Sequence, residues 1–177
     1  MKVLMHMCCA PCAVYPVETL QERGIEVTGL YYNPNIHPIE EFEKREESVE
    51  KLAKDKDFEV YYYPDFEEDL WRALADKDID RCNMCYQKRM KKLFEVAKEK
   101  GYEAVTTSLL VSPYQNHDLI KKMGETYSEK YGIKFLYEDF RVGFREGQKK
   151  AKAYGLYCQR YCGCILSLKE RIKEITL

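Results

Sequence analysis

The sequence predicts an α/β fold, in which a parallel, doubly wound sheet carries helices on both faces. Short apolar segments alternate about five times with longer segments of helical periodicity along the 177 residues. No internal repeat, low-complexity segment or interdomain linker interrupts this alternation. The alternation favours a parallel sheet, because parallel neighbours need a helical crossover between them. A chain of this length suits one hydrophobic core, so we expect residues 1–177 to form a single domain.

The first half of the chain alternates strand and helix as this fold requires. Breakers mark the junctions: Gly24 ends the first helix, Asn33-Pro34-Asn35 ends the second strand, and Pro38 opens the second helix. The predicted elements are, in order, strand Lys2–Met7, helix Ala13–Arg23, strand Ile25–Tyr32, a helix from Pro38 through Ala53, strand Phe58–Tyr63 and a short helix around Trp71.

The second half repeats the pattern after a polar segment, residues 76–81, that we expect to be a loop. A long helix should start near Cys82 and end before Gly101, and Ser112-Pro113 should interrupt the strand that follows. The remaining predicted elements are strand Ala104–Leu110, a helix through Leu119 and Tyr127, strand Ile133–Tyr137, and helices Gly143–Tyr154 and Ile165–Ile175, which make the C-terminal part helical.

Composition and charge exclude some classes of protein. A hydrophobic fraction of 45% and a charged fraction of 33% are typical of a soluble globular protein. No apolar run suits a secretory signal or a bilayer span, so we expect a cytoplasmic protein with no membrane partner. The net charge of −1 is uninformative as an average. Acidic residues crowd positions 40–50, as on a solvated helix face, whereas basic runs flank two cysteine clusters and favour an anionic substrate there.

The cysteines carry the strongest functional signal. In a reducing compartment, clustered cysteines indicate metal ligands or catalytic thiols rather than structural disulfides. The first cluster lies where strand one should meet a helix, whose N-terminal N–H groups favour thiolates. All eight cysteines fall in three places: Cys8-Cys9-x-x-Cys12, Cys82-x-x-Cys85, and Cys158 with Cys162-Gly163-Cys164.

The first two clusters together predict a metal site. The spacing of Cys82 and Cys85 puts both sulfur atoms on one helical turn, facing the same way. With the first cluster they offer four or five thiolates, which suits either tetrahedral zinc or a 4Fe-4S cluster. Ligand count does not decide between these metals. In a doubly wound sheet, ligands bind beyond the carboxyl ends of the strands, where Cys8 and Cys9 end strand one and Ser108–Ser112 ends strand four.

The third cluster favours redox chemistry. One residue between Cys162 and Cys164 is too few for a relaxed disulfide, so a bridge there would be strained and easily reduced. Gly163 gives the backbone the freedom to close it. We interpret the two cysteines as a redox-active pair; two further metal ligands or two packed thiols are the alternatives. Cys158 has no assigned role.

The combination of motifs, in this order and spacing, resembles the QueH-type epoxyqueuosine reductases (the DUF208 family). The resemblance implies a Rossmann-like sheet of the adenine-nucleotide alpha-hydrolase and PP-loop (HUP) type. Such relatives often carry a glycine-rich phosphate loop after strand one, where this chain has cysteines, so we do not predict ATP use. The matching motifs are Cys8-Cys9-Ala10-Pro11-Cys12, Arg81-Cys82-x-x-Cys85, Ser112-Pro113-Tyr114-Gln115 and Tyr161-Cys162-Gly163-Cys164.

The resemblance also implies a reaction. It is the two-electron deoxygenation of epoxyqueuosine to queuosine at the wobble position of tRNA, the last step of queuosine biosynthesis. It implies a catalytic, redox-active disulfide at Cys162 and Cys164, supplied by an electron donor whose identity stays open. It further implies a 4Fe-4S cluster on Cys8, Cys9, Cys82 and Cys85, with Cys12 as a replacement ligand or a ligand of an additional mononuclear iron.

Six further residues are candidates for binding the tRNA. Basic residues near the cysteine clusters would hold phosphates, and residues after strand four would meet the substrate at the site edge. Either Tyr114 or His117 could protonate the departing oxygen. The candidates are Arg81, Arg89, Arg160, Tyr114, Gln115 and His117.

Two other functions are compatible with parts of the sequence. A sulfur-transferring tRNA-modifying enzyme would explain the thiolates and the basic patches, but it would need ATP activation. A zinc-stabilised binding module would explain the paired cysteines without any reaction. Nucleotide binding discriminates the first alternative, and metal analysis discriminates the second.

Overall fold

A computed structural model describes residues 1–75, 77 and 80–176. Within these residues, five parallel strands form one sheet in the order β3-β2-β1-β4-β5. The predicted parallel sheet is therefore confirmed. The strands are β1 (Lys2–His6), β2 (Glu26–Tyr31), β3 (Val60–Tyr62), β4 (Ala104–Thr107) and β5 (Lys134–Phe135).

Helices connect the strands, and polar or glycine residues define several of their ends. At two helix starts a side-chain oxygen accepts a backbone N–H group: the Asp80 carboxylate in one helix and the Asn116 amide in the other. The same two helices end at Gly101 and Gly132, respectively, each in the left-handed conformation. The helices are α1 (Ala10–Glu22), α2 (Ile39–Lys56), α3 (Glu68–Ala73), α4 (Arg81–Lys100), α5 (His117–Tyr131), α6 (Phe144–Ala153) and α7 (Ile165–Thr176).

The strand order reverses beside β1, at the centre of the sheet. The chain runs outward from β1 through β2 to β3, then returns to place β4 on the other side of β1. His6 therefore pairs with Thr107 at the carboxyl ends of the two central strands. A crevice at such a reversal is where doubly wound sheets bind ligands. The first cysteine cluster follows β1 directly and lies at this point.

Several predicted boundaries differ from the observed ones, and three of these lie near the cysteine clusters or at the end of β4. The helix α1 starts at Ala10, three residues earlier than predicted, and Arg81 starts α4 rather than ending a loop. Strand β4 ends at Thr107, and residues 108–111 form a 3-10 turn in place of the predicted strand end. Thr107 Oγ1 accepts the Leu109 N–H at 3.2 Å, which gives the turn a local hydrogen bond that a strand would lack.

The predicted polar loop at 76–81 is only partly observable, because residues 76, 78 and 79 lie outside the described residues. Among the residues that are described, no helix combines the length and apolar character needed to cross a membrane.

His6 is a packed residue that ties the three central strands together. Its Nδ1 lies 3.1 Å from Thr107 Oγ1, and its Nε2 lies 3.0 Å from Asn33 Oδ1. Burial, reinforced by the charge of Arg89, lowers the pKa of His6 to about 4. The His6 imidazole is therefore neutral and has both nitrogen atoms within hydrogen-bonding distance of a partner. Its role is structural: it stabilises the sheet edge that precedes the cysteines.

Candidate metal and redox centre

The cysteine trio, Cys8, Cys9 and Cys12, lies at the turn from β1 into α1. The three Sγ atoms all lie within 4.8 Å of one another, and the Cys8 and Cys9 sulfur atoms are 3.8 Å apart. Cys9 is the N-cap of α1 and Cys12 is its third helical residue, two positions whose side chains approach each other. The Cys8 N–H donates to Ser108 Oγ at 3.2 Å, which fixes the turn against the end of β4.

The trio favours one thiolate at a time. Hydrogen bonds from Cys12 and Cys9 lower the pKa of Cys8 well below its ordinary value. Proximity to Cys8 and Cys9, together with burial, raises the pKa of Cys12 well above it. A bound cation would allow more than one of these thiols to ionise, because a metal stabilises every thiolate that coordinates it. The trio can therefore bind a metal.

The second cysteine group consists of Cys82, Cys85, Cys162 and Cys164. Cys85 and Cys164 are buried in one small apolar cluster with Trp71, whereas Cys82 and Cys162 are exposed. Burial raises the pKa of Cys85 to about 12, although the charge of Arg89 opposes the shift. Burial and the neighbouring Cys162 raise the pKa of Cys82 as well.

The predicted metal ligands are thus divided between two groups. Among the described residues, the trio is the one set of three or more Cys, His, Asp or Glu ligand atoms within 4.8 Å of one another. Cys82 and Cys85 lie near Cys162 and Cys164 rather than inside the trio. All eight cysteines are free thiols.

Arg89 lies between the two groups. It is buried, and its Nε donates to the Cys85 carbonyl oxygen at 3.2 Å. Burial disfavours its charge, but Cys85, Cys162 and Cys8 together raise the pKa of the guanidinium above its ordinary value. A permanent buried cation next to thiols of both groups stabilises thiolates in either one.

A cleft of about 490 Å³ opens between the trio and the second group. Cys8 and Cys12 line one part of it and Cys162 another. Four of the six predicted substrate-binding residues also line the cleft: Arg89, Tyr114, Gln115 and Arg160. The carboxyl end of the central strands therefore holds most of the predicted site.

The other two predicted substrate-binding residues lie outside the lining of the cleft. Arg81 pairs with Glu170 of α7, with 2.7 Å between Nη2 and Oε1. His117 is buried at the start of α5, where its Nε2 lies 3.3 Å from the Ser112 carbonyl oxygen. Burial and the charge of Arg141 lower the pKa of His117.

Helix α2 holds the loop that carries Cys162, through residues that the sequence analysis did not select. Arg45 is buried and donates to the carbonyl oxygens of Tyr161 and Cys162 at 3.0 and 2.9 Å. Its Nε donates to Glu41 at 2.9 Å, and Glu41 also accepts the Tyr157 hydroxyl at 2.7 Å. An ionic pair buried under a loop orients that loop, because each carbonyl has a directional partner.

Comparison with known proteins identifies the family. A sequence model described as "Epoxyqueuosine reductase QueH" matches residues 3–170. A protein of that name from Thermotoga maritima is 37% identical over 96% of this chain and 91% of its own length. Another, from Dehalococcoides mccartyi, is 34% identical over 96% of this chain and 94% of its own length. The chain belongs to the epoxyqueuosine reductase QueH family.

Solved structures confirm the fold of this QueH family member. A predicted subunit of a tRNA methyltransferase from Methanocaldococcus jannaschii superposes with a TM-score of 0.54 at 13% identity, over 99% of this chain and 88% of that chain. The U34-tRNA thiolase NcsA from Methanococcus maripaludis, solved with its [4Fe-4S] cluster, superposes with a TM-score of 0.57 at 14% identity, over 99% and 64%. At these identities the likeness shows the fold alone, a parallel sheet flanked by helices, and nothing about the reaction.

Proposed function

We propose that this protein reduces epoxyqueuosine in tRNA to queuosine, with the cleft between the two cysteine groups as its active site. The observation that supports this best is that Cys8 and Cys12 of the trio and Cys162 of the second group line one cleft. Membership of the QueH family supports the substrate. In this proposal, the cleft brings thiols that would bind metal close to an exposed thiol that would carry electrons, as a reaction that removes oxygen requires.

The Cys162–Cys164 pair matches the reaction in electrons and protons. Removing the epoxide oxygen breaks two C–O bonds, forms a C=C bond and releases water, which takes two electrons and two protons. Oxidation of two thiols to a disulfide releases the same two electrons and two protons. Cys162 is exposed and lines the cleft, whereas Cys164 is buried and does not line it. An external two-electron donor must then reduce the disulfide for the next turnover.

The proposed iron ligands are thiolates, which are donor atoms that iron–sulfur clusters use. We propose that Cys8, Cys9, Cys82 and Cys85 bind a 4Fe-4S cluster, and that Cys12 replaces one ligand or binds an additional mononuclear iron. Soft thiolate donors favour iron–sulfur clusters or zinc. When bound, iron would supply a Lewis acid for the epoxide oxygen and a path for electrons. Arg89 would balance the negative charge of the thiolates.

The mouth of the cleft suits a nucleotide that is turned out of its stack. The Tyr114 side chain is 85% exposed there, and its ring centroid is 6.0 Å from that of Phe144. Exposed aromatic rings stack on unpaired bases, and arginine holds phosphates. We propose that Tyr114, Gln115 and Arg160 contact the epoxyqueuosine nucleotide. Arg81 would contact tRNA outside the cleft. His117 is buried and does not line the cleft, which favours Tyr114 as the proton donor.

We place the reaction in the cytoplasm, because the proposed mechanism needs reduced thiols between turnovers and that compartment maintains them.

The test combines metal analysis with an assay under anaerobic conditions. After reconstitution, the purified protein should contain iron and sulfide and convert epoxyqueuosine in tRNA with dithionite as reductant. A Cys162→Ser/Cys164→Ser variant should retain conversion with dithionite and lose it with a dithiol reductant, because only the second route passes through the pair. The Cys158→Ser variant is the matched control, since Cys158 lies in neither group, and it should behave as the unmodified protein.

Three results would contradict parts of the proposal. Protein without iron and sulfide after reconstitution, or with one zinc per chain and no sulfide, would exclude the cluster. Full activity of the double variant with a dithiol reductant would remove Cys162 and Cys164 from the reaction. Failure to convert epoxyqueuosine by an iron-loaded protein would exclude the substrate.

A further inference from the structure

Gln159 lies against the cysteine trio and has no role in the function proposed above. Its Nε2 is 3.0 Å from Cys9 Sγ and 3.9 Å from Cys12 Sγ. Its Oε1 is buried and has no hydrogen-bond partner among the described residues. One end of the amide therefore faces sulfur, and the other end is a buried polar atom that the protein leaves unpaired.

The backbone on both sides of Gln159 is anchored to α2. Before it, the Tyr157 N–H donates to Ser48 Oγ at 3.0 Å. After it, the carbonyl oxygen of Tyr161 accepts from Arg45 at 3.0 Å. With both neighbours fixed, the side chain is held at the trio without the entropy loss that a free loop would incur on ordering.

The chemistry of a metal-bound thiolate decides which end of the amide can face it. A coordinated cysteine has no proton and offers only lone pairs, so an amide oxygen beside it would be repelled. The amide N–H group is the end that binds, which agrees with the short distance from Nε2 to Cys9 Sγ. Hydrogen bonds to cluster sulfur atoms set the reduction potential, because they stabilise the more negative, reduced state.

We propose that Gln159 is a positioning residue that donates an N–H···S hydrogen bond to the Cys9 thiolate and raises the reduction potential of the bound centre. The proposal rests on the iron–sulfur cofactor proposed above. Gln159 acts through Cys9 and makes no contact with the reacting atoms in this role.

The test is an anaerobic redox titration of the reconstituted protein, followed by EPR and visible absorption. Gln159→Leu removes the donor and should lower the midpoint potential. Gln159→Glu replaces the donor by a negative charge and should lower it further. The matched control is Gln148→Leu, the same substitution at a residue that lines the same cleft, and it should leave the midpoint potential unchanged.

Iron and sulfide content per chain, measured on each sample, shows that equal centres are compared. If Gln159→Leu folds but does not hold iron, Gln159→Met takes its place, because an unbranched side chain keeps the volume without a donor.

The outcomes separate the two proposals. Equal midpoint potentials for the unmodified protein and the donor-free variant would overturn the role of Gln159 and leave the reductase function standing. An unmodified protein that holds no iron and sulfide would overturn the proposed cofactor, and the role of Gln159 with it. An equal shift in the Gln148→Leu control would show a general effect of cleft polarity and would also overturn the specific role.

Discussion

The cysteine trio and the second cysteine group differ in what holds them in place. The trio stands on main chain at the carboxyl end of the central strand β1, with Cys9 and Cys12 buried and Cys8 half-buried. The second group lies on the first two turns of α4 and on the loop before α7, with two of its four thiols exposed. Side chains of α2, rather than the sheet, hold that loop.

This difference suits the two regions to different roles, metal binding and reversible disulfide formation. A strand at the centre of a sheet moves only when much of the core opens, so thiols fixed to it keep a constant geometry, as a permanently bound metal needs. A loop held by a few polar contacts can adjust locally, as two thiols must when they form and break a bridge. The cleft lies between the rigid trio and the adaptable loop that carries Cys162.

The largest expected effect comes from removing a proposed metal ligand from either group. Cys9→Ser and Cys82→Ser should each lower iron content and reduce activity by at least about 100-fold, since even outer-shell partners of metal ligands cost 10–100-fold. Iron and sulfide quantitation with the tRNA assay checks this. Cys158→Ser should retain both. Iron retained by Cys82→Ser but lost by Cys9→Ser would assign the metal to the trio alone.

A middle-sized effect should appear in the chemical reactivity of the metal-free, reduced protein. Cys162 and Cys82 are exposed, so a limiting amount of iodoacetamide should label them at least about tenfold faster than buried Cys9 and Cys12. Peptide mass spectrometry resolves the individual rates. The denatured protein is the control, since all sites should then react alike. Equal rates in the folded protein would show that the trio opens as readily as the loop.

Much of the fold could be predicted because hydrophobic periodicity reports burial directly. The strands, the position of the first cysteine cluster at the end of β1, and the grouping of Tyr114, Gln115 and Arg160 near the cysteines all followed from local pattern or family motif. The end of β4 was predicted too late, because Leu109 and Leu110 are as apolar in a buried 3-10 turn as in a strand.

The residues that support the Cys162 loop and contact the trio could not be predicted from the sequence. Glu41 and Arg45 lie in a run of charges that is typical of a solvated helix face, yet both are buried under the Cys162 loop. Gln159 is a single polar residue whose contact with Cys9 joins positions 150 apart. Such contacts depend on which loop covers which helix, and that is settled by tertiary packing rather than by local propensity.

The smallest effect should distinguish backbone freedom from crowding at Gly163. Its φ is +147°, and a Cβ there would lie 3.1 Å from Arg45 Nη1 and 3.4 Å from Ile36 Cγ1. Gly24, with φ of +73° and open space around it, is the control for a positive-φ glycine without crowding. Gly24→Ala should lower the free energy of unfolding by about 1–2 kcal/mol through backbone strain alone. Gly163→Ala should lower it by about 1 kcal/mol more, because the added methyl group pushes Arg45 from the carbonyls that it holds.

Urea unfolding of the metal-free, reduced proteins measures both values. Equal losses would mean that the loop moves away from Arg45 at no cost, and the adaptable group would then be looser than its hydrogen bonds indicate.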